Sequence, residues 1–537
     1  MGPTPTTFAR VKHSKLIGWV AVVFVVLAGS AMLRTSTTFD EIIFSASGAR
    51  GLHGGDFSMV IDHPRLAQYL YGLPLYLAGI RYPPEAGFHW DWYTRYHYAR
   101  ALFWASGNSA EQLALLARLM GLACGALTVL ATYFLSRRRL GENVALLAAV
   151  LVAFLPDVLA HSGVAYNDVP LTFAVLASVF AIDAWVREPG PGRAALAAIA
   201  FAFAACVKYS GVVLLPILAA LVACEALSGR VADPAWRRRL IVSTLVFVMA
   251  TWFAIAAIYG GDWGLSDFFM GLGQITQSTL QGREAYLLGE RRVGGWWYFF
   301  PVAFLLKTPF ALHVLMLLSL FAAWAGLRGM AWRSLLAHPA RAPALAAAIF
   351  LAALLATGVN IGMRHALPMM PPLLILVATG VIYLWDRSVR AGRAGIAVLV
   401  AGYVVASASH YPFYLSYLSE YAWGRPLFMT LVDSNTDWGQ GLVALRSYMR
   451  ERGIEQVALG YCGTALPEGY GIHYVAMPSF LDLPSVETGA PRYLVVSATL
   501  LAGMYVPGDP YGPLRSMKPV AVVAETLYVF DRGEAKR

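Results

Sequence analysis

Apolar residues in this chain come in long, nearly unbroken runs rather than in the alternating or every-third pattern of a half-buried element. A helix that crosses the hydrocarbon layer needs about 20 mostly apolar residues. On that measure the pattern predicts about eleven transmembrane helices. They fall at 16–33, 112–135, 144–160, 169–186, 194–207, 211–226, 240–259, 298–326, 343–358, 366–384 and 394–412. A shorter run, 67–80, holds Gly72, Pro74 and several tyrosines, and reads as a helix lying at the membrane surface. Beyond 426 the pattern changes. A polar helix over 441–452 is followed by short β-branched runs at 456–459, 492–497, 520–524 and 526–530. Helix and short strands in that order predict a small α/β domain.

Polar segments between the apolar runs carry an orientation. With a cytoplasmic N-terminus (1–15), the inner loops are 136–143, 187–193, 227–239, 327–342 and 385–393. Arg137, Arg138 and Arg139, Arg187 and Arg193, Arg237 to Arg239, Arg333 and Arg341, and Arg387, Arg390 and Arg393 make each of them basic. Such loops stay on the cytoplasmic side. The expected division is a membrane domain over 16–415 and an extracytoplasmic α/β domain over 426–537. Two long outer loops result, 34–111 with its juxtamembrane helices and 260–297. The first ends in an aromatic run, Phe88, Trp90, Trp92, Tyr93, Tyr96 and Tyr98, suited to the headgroup level.

Composition agrees with a multi-pass membrane protein: 58% hydrophobic and 13% charged residues in 537, where soluble domains have about a quarter charged. The net charge of +10 is spread over short loops, so no nucleic-acid partner is expected. The four cysteines, Cys124, Cys206, Cys224 and Cys462, show neither zinc spacing nor a disulfide framework. Arg10, Lys12 and Lys15 before the first run fit a retained signal-anchor helix.

The outer face gathers the candidate chemistry. Asp40-Glu41 opens the first loop, where a carboxylate can act as general base, hold a metal or cap a helix. Asp62-His63-Pro64-Arg65 follows; Asp62 can favour a helix N-terminus and His63 can donate a proton or bind metal. Asn167-Asp168 sits at a span entry, as an acid of the site or as a cap. Lys208, Arg364 and His365 lie at two other turns of the same depth and can clamp a phosphate. Snorkelling explains one such cation easily and all of them poorly. Arg283, in the 260–297 loop with Glu284, Arg291 and Arg292, fits a lid over a lipid-linked substrate. Asp40, His63 and Asp168 are candidate ligands for a divalent ion, although no spacing compels one and no cofactor is required.

Taken in order, these motifs resemble the GT-C glycosyltransferases of the protein O-mannosyltransferase and aminoarabinose transferase type, glycosyltransferase family 39. The matching stretches are Asp40-Glu41, Asp62-His63-Pro64, Asn167-Asp168-Val169-Pro170, Lys208-Tyr209-Ser210-Gly211, Gly294 to Pro309, and Asn360 to Pro368. The resemblance implies a polytopic GT-C fold in a bacterial inner membrane. It implies transfer of one sugar, with inversion, from a polyprenyl phosphate to a hydroxyl of a protein, lipid or cell-envelope glycan. Asp40, Glu41 and Asp168 would be the catalytic acids, with Asp40 the base. Lys208, Arg364, His365 and Arg283 would bind the donor phosphate, and Asp62, His63 and Arg65 would position acceptor or loop.

Two departures stand out. Arg65 replaces a second proline of many relatives, and the tail holds the run Asp433 to Gln440. Its alternating Asp433, Asn435 and Asp437 can bind a cation or form an Asx turn, and the turn is the better reading. The competing functions are a lipid-linked-sugar flippase without covalent chemistry, and a receptor whose tail is the binding module.

Overall fold

The computed structural model describes residues 7–84, 90–484 and 488–533, with side chains described from residue 13 onward. Phe88 of the aromatic run lies outside the described residues. Among the described residues, eight helices are long and apolar enough to span a membrane. A ninth candidate is the pair Glu142–Ala153 and Pro156–Ser162, bent by 64°. Two shorter apolar helices, Pro191–Val207 and Arg341–Ala356, complete the set. Each of the expected runs is therefore helical, and the chain is a polytopic helical membrane protein.

Two runs differ in detail. The bend in the first follows from Pro156, which lacks an N–H and starts a new helix at its first position. The run 298–326 is two helices, Phe299–Lys307 and Phe310–Leu327. Pro309 restricts Thr308 to extended backbone and breaks the ladder there. At the break Lys307 is buried. Its ammonium donates to the carbonyls of Leu415 and Asn435, 2.7 Å each, and lies 3.3 Å from Asp157.

The helix Asp168–Arg187 is at the centre, packed on Ala110–Leu140, Pro191–Val207 and Leu214–Leu227. Its two ends carry opposite tasks, about 22 Å apart by helical rise. At one end Asp183 is wholly buried, with Arg187 and Arg341 each donating at 2.9 Å and an Arg139 nitrogen 3.3 Å away as a third ion-pair partner. Glu225, also buried, pairs with Arg341 at 2.5 Å and Arg230 at 3.5 Å. Several loop arginines thus answer two acids inside the spans, which must find cations at that depth. At the other end Asp168 enters the site described below.

The first loop packs two short helices, Glu41–Gly54 and Arg65–Leu77, across a glycine contact. A Cβ on Gly48 would fall 1.8 Å from the Gln68 carbonyl oxygen, and one on Gly72 2.1 Å from the Gly48 backbone. Only glycine allows that approach. The loop 260–297 holds a helix, Ser266–Gln281, and a hairpin of β1 (Glu284–Leu287) and β2 (Glu290–Val293).

In the tail, five strands form one mixed sheet: β3 (Val457–Gly460), β4 (Tyr474–Ala476), β5 (Tyr493–Ser497), β6 (Ala521–Val523) and β7 (Leu527–Asp531). Their order is β4-β3-β5-β7-β6, with β3 parallel to both neighbours and β7 antiparallel to both of its own. The tail docks directly on the first loop. Ser36 N–H donates to Gln440 O (3.1 Å), Phe39 N–H to Trp438 O (2.9 Å), and the Arg100 guanidinium to the carbonyls of Thr464 and Asp482.

Glu41 ties that junction to the membrane helices. Its carboxylate receives two hydrogen bonds of 2.8 Å from Arg118, and the N–H groups of Thr38 (2.5 Å) and Ala165 (2.9 Å). Arg118→Met leaves this carboxylate buried without its cation. The substitution is expected to destabilise the protein by about 3–5 kcal/mol, read as a lowered unfolding midpoint in detergent. A midpoint unchanged within about 0.5 kcal/mol would overturn that role.

Candidate active site

One cavity of about 700 Å³ opens between the first loop, the helix Ser266–Gln281, the turn before Met363 and the tail. Asp40 lies on its wall. It occupies the position just before the helix Glu41–Gly54, yet its side chain makes no capping bond. Glu41 accepts the Thr38 N–H instead, so the local backbone is satisfied by the neighbour. Asp40 is left to face the cavity. The Tyr96 hydroxyl donates to Asp40 Oδ1 at 2.8 Å, and an Arg364 nitrogen lies 3.7 Å from Oδ2.

Arg364 is 4% exposed and held on every side. Nε donates to Ser434 Oγ (3.0 Å) and Nη1 to Asp168 Oδ2 (3.4 Å). The guanidinium lies 4.6 Å from the Tyr166 ring centre and 4.4 Å from that of Trp438. Such contacts favour a desolvated cation. Lys208 donates to the other oxygen of Asp168. Asp168 itself is 1% exposed. Two cations therefore share one buried carboxylate, with Asp40 as a second, more distant partner of Arg364, and both cations line the cavity. His365 and Arg283 line the same region. Nε2 of His365 is buried without a hydrogen-bond partner. Beyond the cations the wall turns apolar, with Leu272, Ile275, Leu280, Phe350 and Leu354.

Asp62 receives two bonds from Arg95, 3.0 and 3.2 Å, and both residues line the cavity. His63 packs its ring against Phe44 and meets the Asn167 amide at 3.3 Å. Burial is the main force holding its pKa down to about 4; Arg95 and Lys208 add to it, against Asp62 and Asp40. A neutral ring that accepts from the Asn167 amide is consistent with that state.

Residues 17–259 match the family model for dolichyl-phosphate-mannose-protein mannosyltransferase. The resemblance drawn from the motifs to this GT-C family is shown over that stretch. It contains Asp40, Asp62, His63, Asp168 and Lys208, while Arg283, Arg364 and His365 lie beyond it. No curated protein matches the chain. The crystal structure of ArnT from Cupriavidus metallidurans bound to undecaprenyl phosphate is similar over 95% of this chain and 98% of that one, at 14% identity and TM-score 0.47. The oligosaccharyltransferase AglB from Archaeoglobus fulgidus, with an inhibitory peptide and a dolichol-phosphate, is similar over 75% of this chain and 55% of that one, at 13% identity and TM-score 0.49.

The cavity is lined by Asp40, Asp62, His63, Lys208, Arg283, Arg364 and His365, all of them candidates named from the sequence. Three expected residues stand elsewhere. Glu41 is buried in its bonds to Arg118 and two backbone N–H groups, so it is a structural acid. Asp168 lies behind Lys208 and Arg364 as their counter-ion and does not line the cavity. Arg65 turns away, donating to Tyr259 O (2.9 Å) and to the Asp267 carboxylate. Asp40, His63 and Asp168 do not converge as ligands, and no metal-holding group of three or more His, Cys, Asp or Glu occurs among the described residues. The run Asp433 to Gln440 is a turn. Asp433 accepts the Ser434 N–H, Asn435 the Met363 N–H and Asp437 the Thr499 N–H.

Sequence reasoning missed Tyr96, Arg95, Tyr166, Ser434 and Trp438. Two of these had a signal. Asp91 caps the helix Trp92–Arg100, and the three-to-four spacing of Trp92, Arg95 and Tyr96 puts them on one face. Ser434 and Trp438 had none, because nothing in a polar turn says which distant arginine it will hold.

Because the unfolded chain protonates His63 before the folded one does, its depressed pKa adds stability above about pH 6.5 that is lost as pH falls toward about 4. His63→Asn keeps an acceptor for Asn167 and removes this titration. Unfolding midpoints compared at about pH 7 and about pH 4.5 are expected to fall further for the wild type than for the variant. Parallel losses would show that His63 carries no such term.

Proposed function

We propose that the protein is a glycosyltransferase moving a single sugar from a polyprenyl phosphate to an acceptor hydroxyl, with inversion, outside the cytoplasmic membrane of a bacterium. The observation that carries this reading is the juxtaposition of Asp40 with Arg364 and Lys208 in one cavity whose far wall is apolar. A lipid phosphate has the matching parts: an anion for the cations and a hydrocarbon chain for the apolar wall. The family match over residues 17–259 supports the same class of donor.

In the transfer, the acceptor oxygen forms a bond to the anomeric carbon as the bond from that carbon to the phosphate oxygen breaks. The bonding pair leaves with the phosphate. The hydroxyl proton passes to Asp40. Arg364 and Lys208 stabilise the charge that grows on the departing oxygen, and being fixed beforehand they need no reorganisation to do so. Asp168 holds both cations in place. His365, with its unpartnered nitrogen, is placed to meet a phosphate oxygen. A single displacement by a base on the acceptor side inverts the anomeric centre.

The orientation proposed is N-terminus inside and tail outside. It is supported by the arginine-rich loop ends meeting at Asp183, at the end of the Asp168–Arg187 helix opposite the cavity.

Asp40→Asn is expected to lower transfer from a radiolabelled polyprenyl-phosphate sugar by about 10²–10⁴-fold, with binding of undecaprenyl phosphate retained. Arg364→Met is expected to weaken that binding as well as slow transfer. Wild-type turnover in Asp40→Asn would remove Asp40 from the chemistry. Uptake of the lipid-linked sugar into proteoliposomes without covalent product would point to a flippase instead.

A further inference from the structure

Asp40 divides the cavity. Its Oδ2 faces Arg364, on the side of the cations, and its Oδ1 accepts from Tyr96, on the side of a group of aromatic rings. That second side is built by four separated segments. Trp92 lies 5.1 Å from the ring of Tyr96, 5.2 Å from Phe480 and 6.4 Å from Phe39; Phe480 in turn lies 4.4 Å from Tyr505. Phe39, Tyr96 and Trp92 all line the cavity; Phe39 and Tyr96 are buried, whereas Trp92 is 41% exposed. The indole is a flat face packed against three rings, and one of them, Tyr96, donates to the carboxylate that would deprotonate the acceptor.

Polar groups flank the rings. On one side is the Asp62–Arg95 pair. On the other the Tyr505 hydroxyl donates to Asp433, and both residues line the cavity. Asp433 and Tyr505 each have positive φ, 58° and 66°. Non-glycine residues rarely adopt that conformation, and it persists where surrounding structure imposes it, often at binding sites.

We infer that this wall is an acceptor subsite for a pyranose ring, so that the acceptor hydroxyl belongs to a carbohydrate. The inference rests on the transferase reading and narrows its acceptor. A sugar ring has an apolar C–H face, suited to an indole, and hydroxyls around its rim, suited to mixed donors and acceptors in the ring plane. Asp62, Arg95, Asp433 and Tyr505 supply both kinds. A peptide acceptor is held differently, by main-chain bonds to an open strand edge or by side-chain pockets along a groove. Among the described cavity-lining residues only Glu284 comes from a strand, and it is paired with Val293 inside the hairpin.

Saturation-transfer NMR on the purified protein in detergent tests this without requiring turnover. Methyl glycosides of common hexoses serve as probes, with a serine- and threonine-containing peptide beside them. At least one glycoside is expected to receive saturation chiefly on one ring face. Trp92→Ala is expected to weaken its binding by roughly three- to tenfold. Trp92→Leu keeps apolar bulk without the flat face and is expected to behave likewise, while Trp92→Phe retains most binding. Binding is expected to survive saturation with undecaprenyl phosphate and with the polyprenyl-phosphate sugar. Three results would overturn the inference: no glycoside bound, equal binding to the wild type and Trp92→Leu, or displacement by the sugar-loaded donor but not by the bare lipid phosphate, which would give the wall to the transferred sugar. Trp92-dependent binding of the peptide alone would also overturn it. Trp92-dependent glycoside binding in a protein that transfers nothing would sink the transferase reading and leave the sugar site standing.

Discussion

A carboxylate buried at the start of a membrane helix is costly unless cations reach both of its oxygens, and Asp168 is supplied with two. Lys208 comes from the turn after the helix Pro191–Val207, and Arg364 from the turn before Met370–Arg387. Loss of either cation leaves one oxygen of Asp168 without its partner, and loss of Asp168 leaves Lys208 buried without its carboxylate. This mutual requirement fixes three turns of the helical bundle relative to one another. The same balance puts cations on the cavity wall: Lys208 and Arg364 are held from behind by Asp168, and Asp40 meets Arg364 from the cavity side. The site's electrostatics and the bundle's geometry are therefore the same interaction seen from two sides.

Arg364 also shows why the tail is not a detachable module. Its Nε bonds to Ser434, its face stacks on Trp438, and the Met363 N–H just before it bonds to Asn435. Lys307 reaches the same segment through the Asn435 carbonyl. A guanidinium is planar and directional, so its aim depends on what grips it. Here the grip comes from residues beyond the last spanning helix. A bundle lacking the tail would keep the charge of Arg364 and lose its orientation.

The spans were legible because burial in lipid leaves a simple mark, a long apolar run. Turns bearing Asp40, Lys208 and Arg364 were legible because charge at that depth needs a reason. What escaped is local competition between neighbours. Asp40 and Glu41 are adjacent acids of similar chemistry, and the chain offers no way to tell which one answers the backbone. The structure separates them through Arg118, 77 residues from Glu41, which takes Glu41 inward. Arg65 escaped for the same reason, since Asp267 is the partner that decides it. In the tail, the short strands were visible as β-branched runs, whereas β4 was too brief and the hairpin of β1 and β2 too charged to stand out.

Asp183 was hidden for a different reason. A lone acid inside an apolar run barely lowers its hydropathy, so the run still reads as a span. The arginines that neutralise Asp183 are counted, in a sequence, as loop charge that sets orientation. Both statements hold at once: an arginine at a helix end can mark a side of the membrane and also close an ion pair within it. Since Asp168 and Asp183 sit on one helix, its two charge networks pin that helix against sliding along its axis. The helix that presents Asp168 to the cations is thus held at its far end by a second set of cations, and the position of the site's buried counter-ion is determined from both ends.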